Sequence, residues 1–336
     1  MAASPIASAV RSPQWVITYQ GVNITGDISQ MVLSIIYVDR LGAASGEAEI
    51  ELEDHAKRWQ GPWYPGLGDE LNLALGYLVE NLLPCGDFQV EEIGLAGPPD
   101  VLRLRCLATY VTLAMRTRNT VGYENQSLVG IAATIAAKYE LALVTAPEAD
   151  DLVFARITQR HETDLEFLQR LANEHGYDFS VRGGALVFYA IAALEAAPPI
   201  MTITRANTLR FAFRNRTQRI YREGQTAYFD PDTKELILQT TAATNSVATA
   251  DKLKLLLRCE NGQQALMKAE AALHRNDMLL VEARLTMPGT TAVAAGINVT
   301  ISGWGALDGV YLVEEARHQI DRVRGYTTEV EARRVG

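Results

Sequence analysis

Residues 47–54, EAEIELED, alternate without a break: Glu47, Glu49, Glu51 and Glu53 fall on one parity, and Ala48, Ile50 and Leu52 on the other. Successive side chains of a strand point to opposite faces, so the segment reads as a half-buried β-strand with a row of carboxylates along its polar side. Like charges at this spacing repel, so the row needs a reason. Carboxyls at i and i+2 have Cα atoms about 6.6–6.8 Å apart, which overlaps the roughly 6.5–9.5 Å of an inverting glycosidase pair. Those two groups must flank a sugar from opposite sides, which neighbours on one face do not. Calcium needs about six to eight converging oxygens, and no D-x-D-x-D-G loop lies nearby. The row therefore reads as a solvated or pore-lining strand face.

The same signal continues on both sides. "QWVITYQGVNIT" gives two short strands around a Gly turn, and "MVLSIIYVD" is joined to the Glu strand by "RLGAASG", a hairpin-length loop. "RWQGPWYPGLGD" is an irregular loop with Trp59, Trp63 and Tyr64. "ELNLALGYL" alternates again, and "FQVEEIGLAGPPDVLRLRCLATY" gives two strands around Gly-Pro-Pro. This many short strands in residues 1–115 indicate a barrel or sandwich.

The pattern changes over residues 116–197. "NQSLVGIAATIAAKYEL" carries Leu128, Ile131, Ile135 and Tyr139 at near-helical spacing after Ser127 as N-cap. "HETDLEFLQRLANEHG" is a second helix, with a Thr163/Glu166 capping box, a Leu165, Leu168, Leu171 stripe and Gly176 past its end. "YDFSVRGGALVFY" reads as two strands around Gly-Gly. After the linker "ALEAAPPI", residues 198–336 return to β, with a hairpin turn at Asp230-Pro231-Asp232 and a helical insertion at about 250–276 that is split near "ENGQ". The last strand sets Tyr326, Thr328 and Val330 against Thr327, Glu329 and Glu331. The fold class is mainly β with α+β: a β unit, a small α+β domain, then a second β unit with the insertion.

Charge follows the same divisions. Residues 1–115 carry six Lys/Arg against fourteen Asp/Glu, a net charge of −8, residues 116–197 carry −4, and residues 198–336 carry +3. An acidic front argues against sequence-specific nucleic-acid binding, which needs a basic footprint. No apolar run is long enough to span a membrane, and the N-terminus lacks the charged and apolar regions of a secretory signal. Cys85, Cys106 and Cys259 form neither a disulfide framework nor a zinc set, which points to synthesis in a reducing cytosol.

Motifs for chemistry are missing. "RHETD" continues with Leu165 where a zincin pair needs His, so His161 and Glu162 simply precede a helix. His55, His175, His274 and His318 have no ligand spacing. Gly303, Gly305 and Gly309 sit between strands and do not open a helix, so they form a tight hairpin and not a dinucleotide fingerprint. No G-x-S-x-G or Walker A loop occurs. No catalytic, metal or cofactor residue is expected. Arg210, Arg214, Arg216 and Arg219, interleaved with aromatics, suit a polyanion patch or a subunit interface facing the acidic third. Trp59, Trp63 and Tyr64 suit a contact with a partner, or a cap on their own β unit.

Three long composite patterns occur in order: "YVDRLGAASGEAEIELEDHAKRWQGPWYPGLGDELNLALGY", "ITQRHETDLEFLQRLANEHGYDFSVRGGALVFY" and "AGINVTISGWGALDGVYLVEEARHQIDRVRGYTTEVEARRV". Together they resemble the phage late control gene D family, the baseplate hub of contractile tails, over nearly the whole chain. The N-terminal half of type VI secretion spike proteins is similar. The resemblance implies two tube-like β-barrel domains with α+β decoration and a homotrimer whose six barrels adapt a sixfold tail tube to a threefold spike. It implies a structural protein without catalytic residues or cofactors. The implied partners are a tail tube or tube-initiator protein, a tape measure protein, baseplate wedge proteins and a spike.

The chain ends after the last strand, so the spike is expected to be a separate polypeptide, as in a phage tail or tailocin. The implied location is the virion tail baseplate, assembled in the bacterial host cytoplasm. On that reading Glu47, Glu49, Glu51, Glu53, Glu329 and Glu331 line a central channel as a negative wall, or else occupy the outer barrel face. Two other classes compete: a tail-associated cell-wall hydrolase, which needs a further domain with a catalytic pair, and a carbohydrate-binding module using Trp59, Trp63 and Tyr64 as its platform.

Overall fold

The computed structural model describes residues 11–42, 46–109, 115, 117–146, 153–216, 220–229, 234–243, 249–255, 259, 261–278 and 281–335. Arg219 and the turn at residues 230–232 lie outside these.

The first β unit contains β1 (Pro13–Tyr19), β2 (Val22–Asn23), the short α1 (Thr25–Ile28), β3 (Val32–Arg40), β4 (Glu47–Glu53), β5 (Glu70–Tyr77), β6 (Leu83–Ala96) and β7 (Val101–Ala108). Alternation decides its register. In β4 the Glu parity is half-exposed while Ala48, Ile50 and Leu52 are buried. Ile17 of β1 and Ile50 of β4 line one small apolar cavity although three strands separate them along the sheet, so the sheet curls around its own core.

The α+β unit pairs β8 (Arg118–Ser127) with β10 (Val153–Thr163), and places α2 (Leu128–Lys138) and α3 (Asp164–His175) against a sheet of β9 (Ala142–Thr145), β11 (Tyr177–Arg182) and β12 (Ala185–Ala190). Ser127 caps α2 by accepting from Gly130 N at 3.0 Å. The Thr163/Glu166 capping box is formed, and Gly176 ends α3 at φ 74°, a left-handed conformation that glycine adopts without strain. Phe167, Leu168, Leu171 and Ala172 are buried, whereas Leu165 is only partly covered, so the stripe lies one position away from a simple leucine spacing.

A short helix, α4 (Ile191–Ala196), leads to β13 (Met201–Thr204) and β14 (Arg210–Asn215). Next comes a separate sheet of β15 (Glu223–Phe229), β16 (Leu236–Ala242) and β17 (Lys252–Leu255), covered by α5 (Gly262–Asp277). The expected helix at 250–276 is corrected here. Residues 252–255 alternate exposed Lys with half-buried Leu and pair parallel to β15, and the helix begins after Asn261, whose side chain accepts from Gln264 N at 2.9 Å. The chain closes with β18 (Val281–Pro288), β19 (Asn298–Ser302), β20 (Gly309–Asp321) and β21 (Gly325–Arg334).

Thirteen strands from both β units form one hydrogen-bonded sheet, running β14-β18-β21-β20-β3-β4-β7-β6-β5-β1-β2, with β13 and β19 attached beside β20. β20 is the hand-over. It pairs with β21 along one side; along the other it pairs first with β19 (Leu312 opposite Asn298), then with β3 (Glu315 opposite Arg40). The register shifts between Val313 and Glu315, where the strand changes partner, as a β-bulge allows. Ile320 and Tyr326 at one end of this hairpin enter the first core, while Val313, Ala316, Val330 and Ala332 belong to the second.

Candidate functional site

The register places both Glu sets on one face. Glu47 lies opposite Val38 of β3, Val38 opposite Arg317 of β20, Arg317 opposite Glu329 of β21, and Glu331 opposite Arg284 of β18. Cross-strand neighbours share a face, so Glu47, Glu49, Glu51, Glu53, Glu329 and Glu331 look out from the same side of the continuous sheet, away from both cores.

The row is not a bare acidic wall, which corrects the sequence expectation. Glu47 lies 3.3 Å from Arg40 and 3.7 Å from Arg105, and Glu49 lies 2.9 Å from Arg103. Glu51 binds Arg103 and accepts from Ser34 Oγ at 3.0 Å, and Glu53 lies 2.7 Å from Arg322. Arg284 takes both Glu329, at 3.6 Å, and Glu331. Arg103 beside Glu51 and Arg322 beside Glu53 hold those carboxyls below the usual carboxylate range. Exposed pairs of this kind add little stability singly; their joint effect is to cancel the repulsion along β4. The signal for Arg103 and Arg105 was in the sequence: "VLRLRCL" alternates them with Leu102 and Leu104, the complement of the Glu strand.

The aromatic loop divides in two. Trp59 is 6% exposed and belongs to the first core, and its backbone N donates to the buried Asp54 carboxylate at 3.2 Å. Trp59 thus caps its own β unit. Trp63 stands edge-on to it at 5.5 Å, with the Arg58 guanidinium 5.0 Å above the Trp63 ring. Trp63, Tyr64 and Leu67 stay exposed. Among the arginines, Arg210 and Arg214 lie exposed on β14, and Arg216 binds Glu282 at 2.8 Å.

Two ionic junctions, each built on one buried charge (Asp39 and Arg333), were not foreseen. Arg182 of the α+β unit reaches Asp39 of β3, which also accepts from Ala295 N at 2.8 Å. Arg333 of β21, 2% exposed, binds Glu195 of α4 and lies 3.1 Å from Glu314 at the β20 bulge, while His274 of α5 meets Glu195 at 2.9 Å. Burial pushes the Glu314 carboxyl up even beside Arg333. Their partners lie more than a hundred residues apart in most cases, and no local pattern announces them. Among the described residues no three His, Cys, Asp or Glu side chains converge as a metal site, and no helix is long and apolar enough to cross a membrane.

The probable baseplate hub protein of Escherichia phage 186 is 30% identical over 206 residues, covering 60% of this chain and 52% of the phage protein. Its counterpart from Escherichia phage P2 is 29% identical over 211 residues, covering 62% and 54%. The alignments thus span about half the length of these relatives. Among solved structures, the 43 kDa tail protein of prophage MuSo2 from Shewanella oneidensis has the same fold, with a TM-score of 0.75 at 15% identity over 96% of this chain and 98% of that one. A tail protein from Neisseria meningitidis gives 0.73 at 14% identity over 96% of each. An E. coli component of the type VI secretion system gives 0.57 at 15% identity, over 94% of this chain and 76% of that one. The family model described as phage tail baseplate hub (GPD) matches residues 100–323, more than half of the sequence, and the chain belongs to that family.

Proposed function

We propose that this chain is the structural hub of a contractile-tail baseplate, a homotrimer that joins the sixfold tail tube to a threefold spike and lines part of the central channel. The observation that carries the reading is the placement of Glu47–Glu53 and of Glu329 and Glu331 on one face of a sheet shared by two β units with separate cores. Two β units per copy, each presenting that face, make six positions in a trimer. The hub acts as architecture and not as a catalyst. Its partners are a spike, a tail tube or tube-initiator protein, a tape measure protein and wedge proteins, and its place is the tail baseplate, assembled in the host cytoplasm. A type VI-like injection system is the second reading, favoured by the fold shared with the E. coli secretion component.

A face whose Glu and Arg charges are mutually paired presents little net field. Neither nucleic-acid phosphate nor an acidic protein then adheres during passage, without the strong repulsion of a purely negative wall. The test is assembly in a producing host from which this chain has been deleted. Tubes without baseplates, restored by supplying the chain, are expected. Complete, contracting tails in its absence would overturn the proposal.

A further inference from the structure

The insertion of β15–β17 and α5 stands outside the three apolar cores, to which it contributes no side chain among the described residues. α5 lies on one face of its sheet: a Cβ added at Gly224 would meet Leu273 at 3.1 Å, and Thr241 Oγ1 lies 3.5 Å from a Glu270 carboxylate oxygen. The register sets Phe229 opposite Leu236 and Ala227 opposite Leu238 on the other face, where Phe229, Leu236 and Leu238 are exposed. The attachment of the insertion to the rest of the chain runs through α5, which packs against α3.

That seam is ionic and gapped. Glu174 of α3 gives one carboxylate oxygen to Arg170 of the same helix, at 3.4 Å, and the other to Lys268 of α5, at 2.7 Å. Glu195 of α4 repeats the arrangement: one oxygen binds Arg333 of β21, and the other meets His274 of α5 at 2.9 Å. Arg275 of α5 donates to the Asn173 carbonyl, and a Cβ added at Gly176 would stand 3.5 Å from Ala271 Cβ. Three clefts of about 660, 630 and 550 Å³ open along α5, beside Asn173 and Arg275, beside Arg160 and Lys268, and beside Ile191 and Met267. Interiors packed into a single arrangement leave few gaps of this size.

We propose that the insertion is a hinged module, latched by Glu174–Lys268 and Glu195–His274, that swings away from α3 and α4 as one body. Breaking a buried ion pair is ordinarily costly because it strands a buried charge. Neither seam carboxylate is stranded here. When α5 withdraws, Glu174 keeps Arg170 and Glu195 keeps Arg333, while Lys268 and His274 return to water with the module. No shared apolar core has to be torn, and a polar seam between two parts of a chain permits relative motion. Latched and unlatched positions can therefore lie close in free energy. The exposed face of Phe229, Leu236 and Leu238 travels with the module, so the latch sets where that face points.

The test measures the distance between spin labels at Thr240→Cys of β16 and Ala137→Cys of α2, both exposed positions, by double electron–electron resonance on the purified chain. The chain without the added cysteines controls for Cys85, Cys106 and Cys259, and circular dichroism checks folding. The labelled chain should show two distances. K268A/H274A removes the module's half of both latches and should shift the ratio towards the second distance by roughly fivefold or more. High salt should move the ratio the same way with the latch residues intact, and it alone decides if the variant does not fold. A single distance that neither change moves, or a ratio that the folded variant leaves as it was, would overturn the proposal.

Discussion

Asp39 and Arg182, 143 residues apart in sequence, meet at 2.9 Å where the first β unit, the α+β unit and the second β unit come together. Asp39 is 6% exposed, Ala295 N donates to the same carboxylate, and Arg182 also donates to Arg40 O at 2.6 Å. One side chain pair therefore ties three parts of the chain. Removing the cation leaves a buried carboxylate with a single backbone donor among the described residues, so Arg182→Ala should destabilise by about 2–3 kcal/mol. Arg182→Lys should recover only part of this, because an ammonium cannot reproduce the planar fork. Denaturant midpoints of the three proteins check it; an alanine variant as stable as wild type would show that the junction contributes nothing.

That junction marks the limit of what the sequence could reveal. Local periodicity was enough for the alternating Glu strand, for the Thr163/Glu166 capping box and for the Gly-Gly turn between β11 and β12. It misread residues 252–255, because "LKLLLR" satisfies a helical spacing as well as a strand alternation, and only the parallel partner β15 decides between them. The Glu row was legible as a row, but its charge state was not. The alternating Arg103 and Arg105 hinted at a complement, but Arg40, Arg284 and Arg322 become its neighbours through strand pairing and turns that no single segment encodes. Trp59 and Trp63 lie in one loop of one composition, and only packing separates the buried ring from the half-exposed one.

His318, fully buried, gives the fold a defined pH response. Its Nε2 faces the Val293 carbonyl at 3.1 Å and so carries the proton, while Nδ1 lies 2.9 Å from the Tyr326 hydroxyl and 3.3 Å from Thr328 Oγ1. The Tyr37 ring stacks on it. Burial lowers its pKa to about 4, and does the same to His175 in the α+β core. Both groups are neutral in the folded chain and take up protons on unfolding below the usual value of 6.5. Their contribution is complete above about pH 6.5 and is lost as pH falls towards 4. The two histidines together should take roughly 2–4 kcal/mol from stability between pH 7 and pH 5. Asp178, whose carboxyl pKa burial raises to about 6, offsets part of this, and His318→Gln should remove about half of the histidine contribution. Urea unfolding at the two pH values measures it; an unchanged pH dependence in the variant would contradict the assignment.

Trp59 and Trp63 should behave differently when truncated. Trp59→Ala empties a core site and should cost about 3–5 kcal/mol. Trp63→Ala loses an edge contact and a cation–π contact and should cost about 1 kcal/mol, leaving the fold intact while reducing particle assembly. Thermal unfolding and particle counts from a producing host separate the two effects. A Trp63→Ala chain that unfolds outright would place that ring in the core instead of at a contact.

The central claim is that this chain is a ring-forming hub, and its mass in solution tests that most directly. Light scattering on the purified chain with its co-expressed spike should show three hub copies per complex, roughly three times 36.9 kDa for the hub portion. A hub that remains strictly monomeric or dimeric under those conditions would contradict the account.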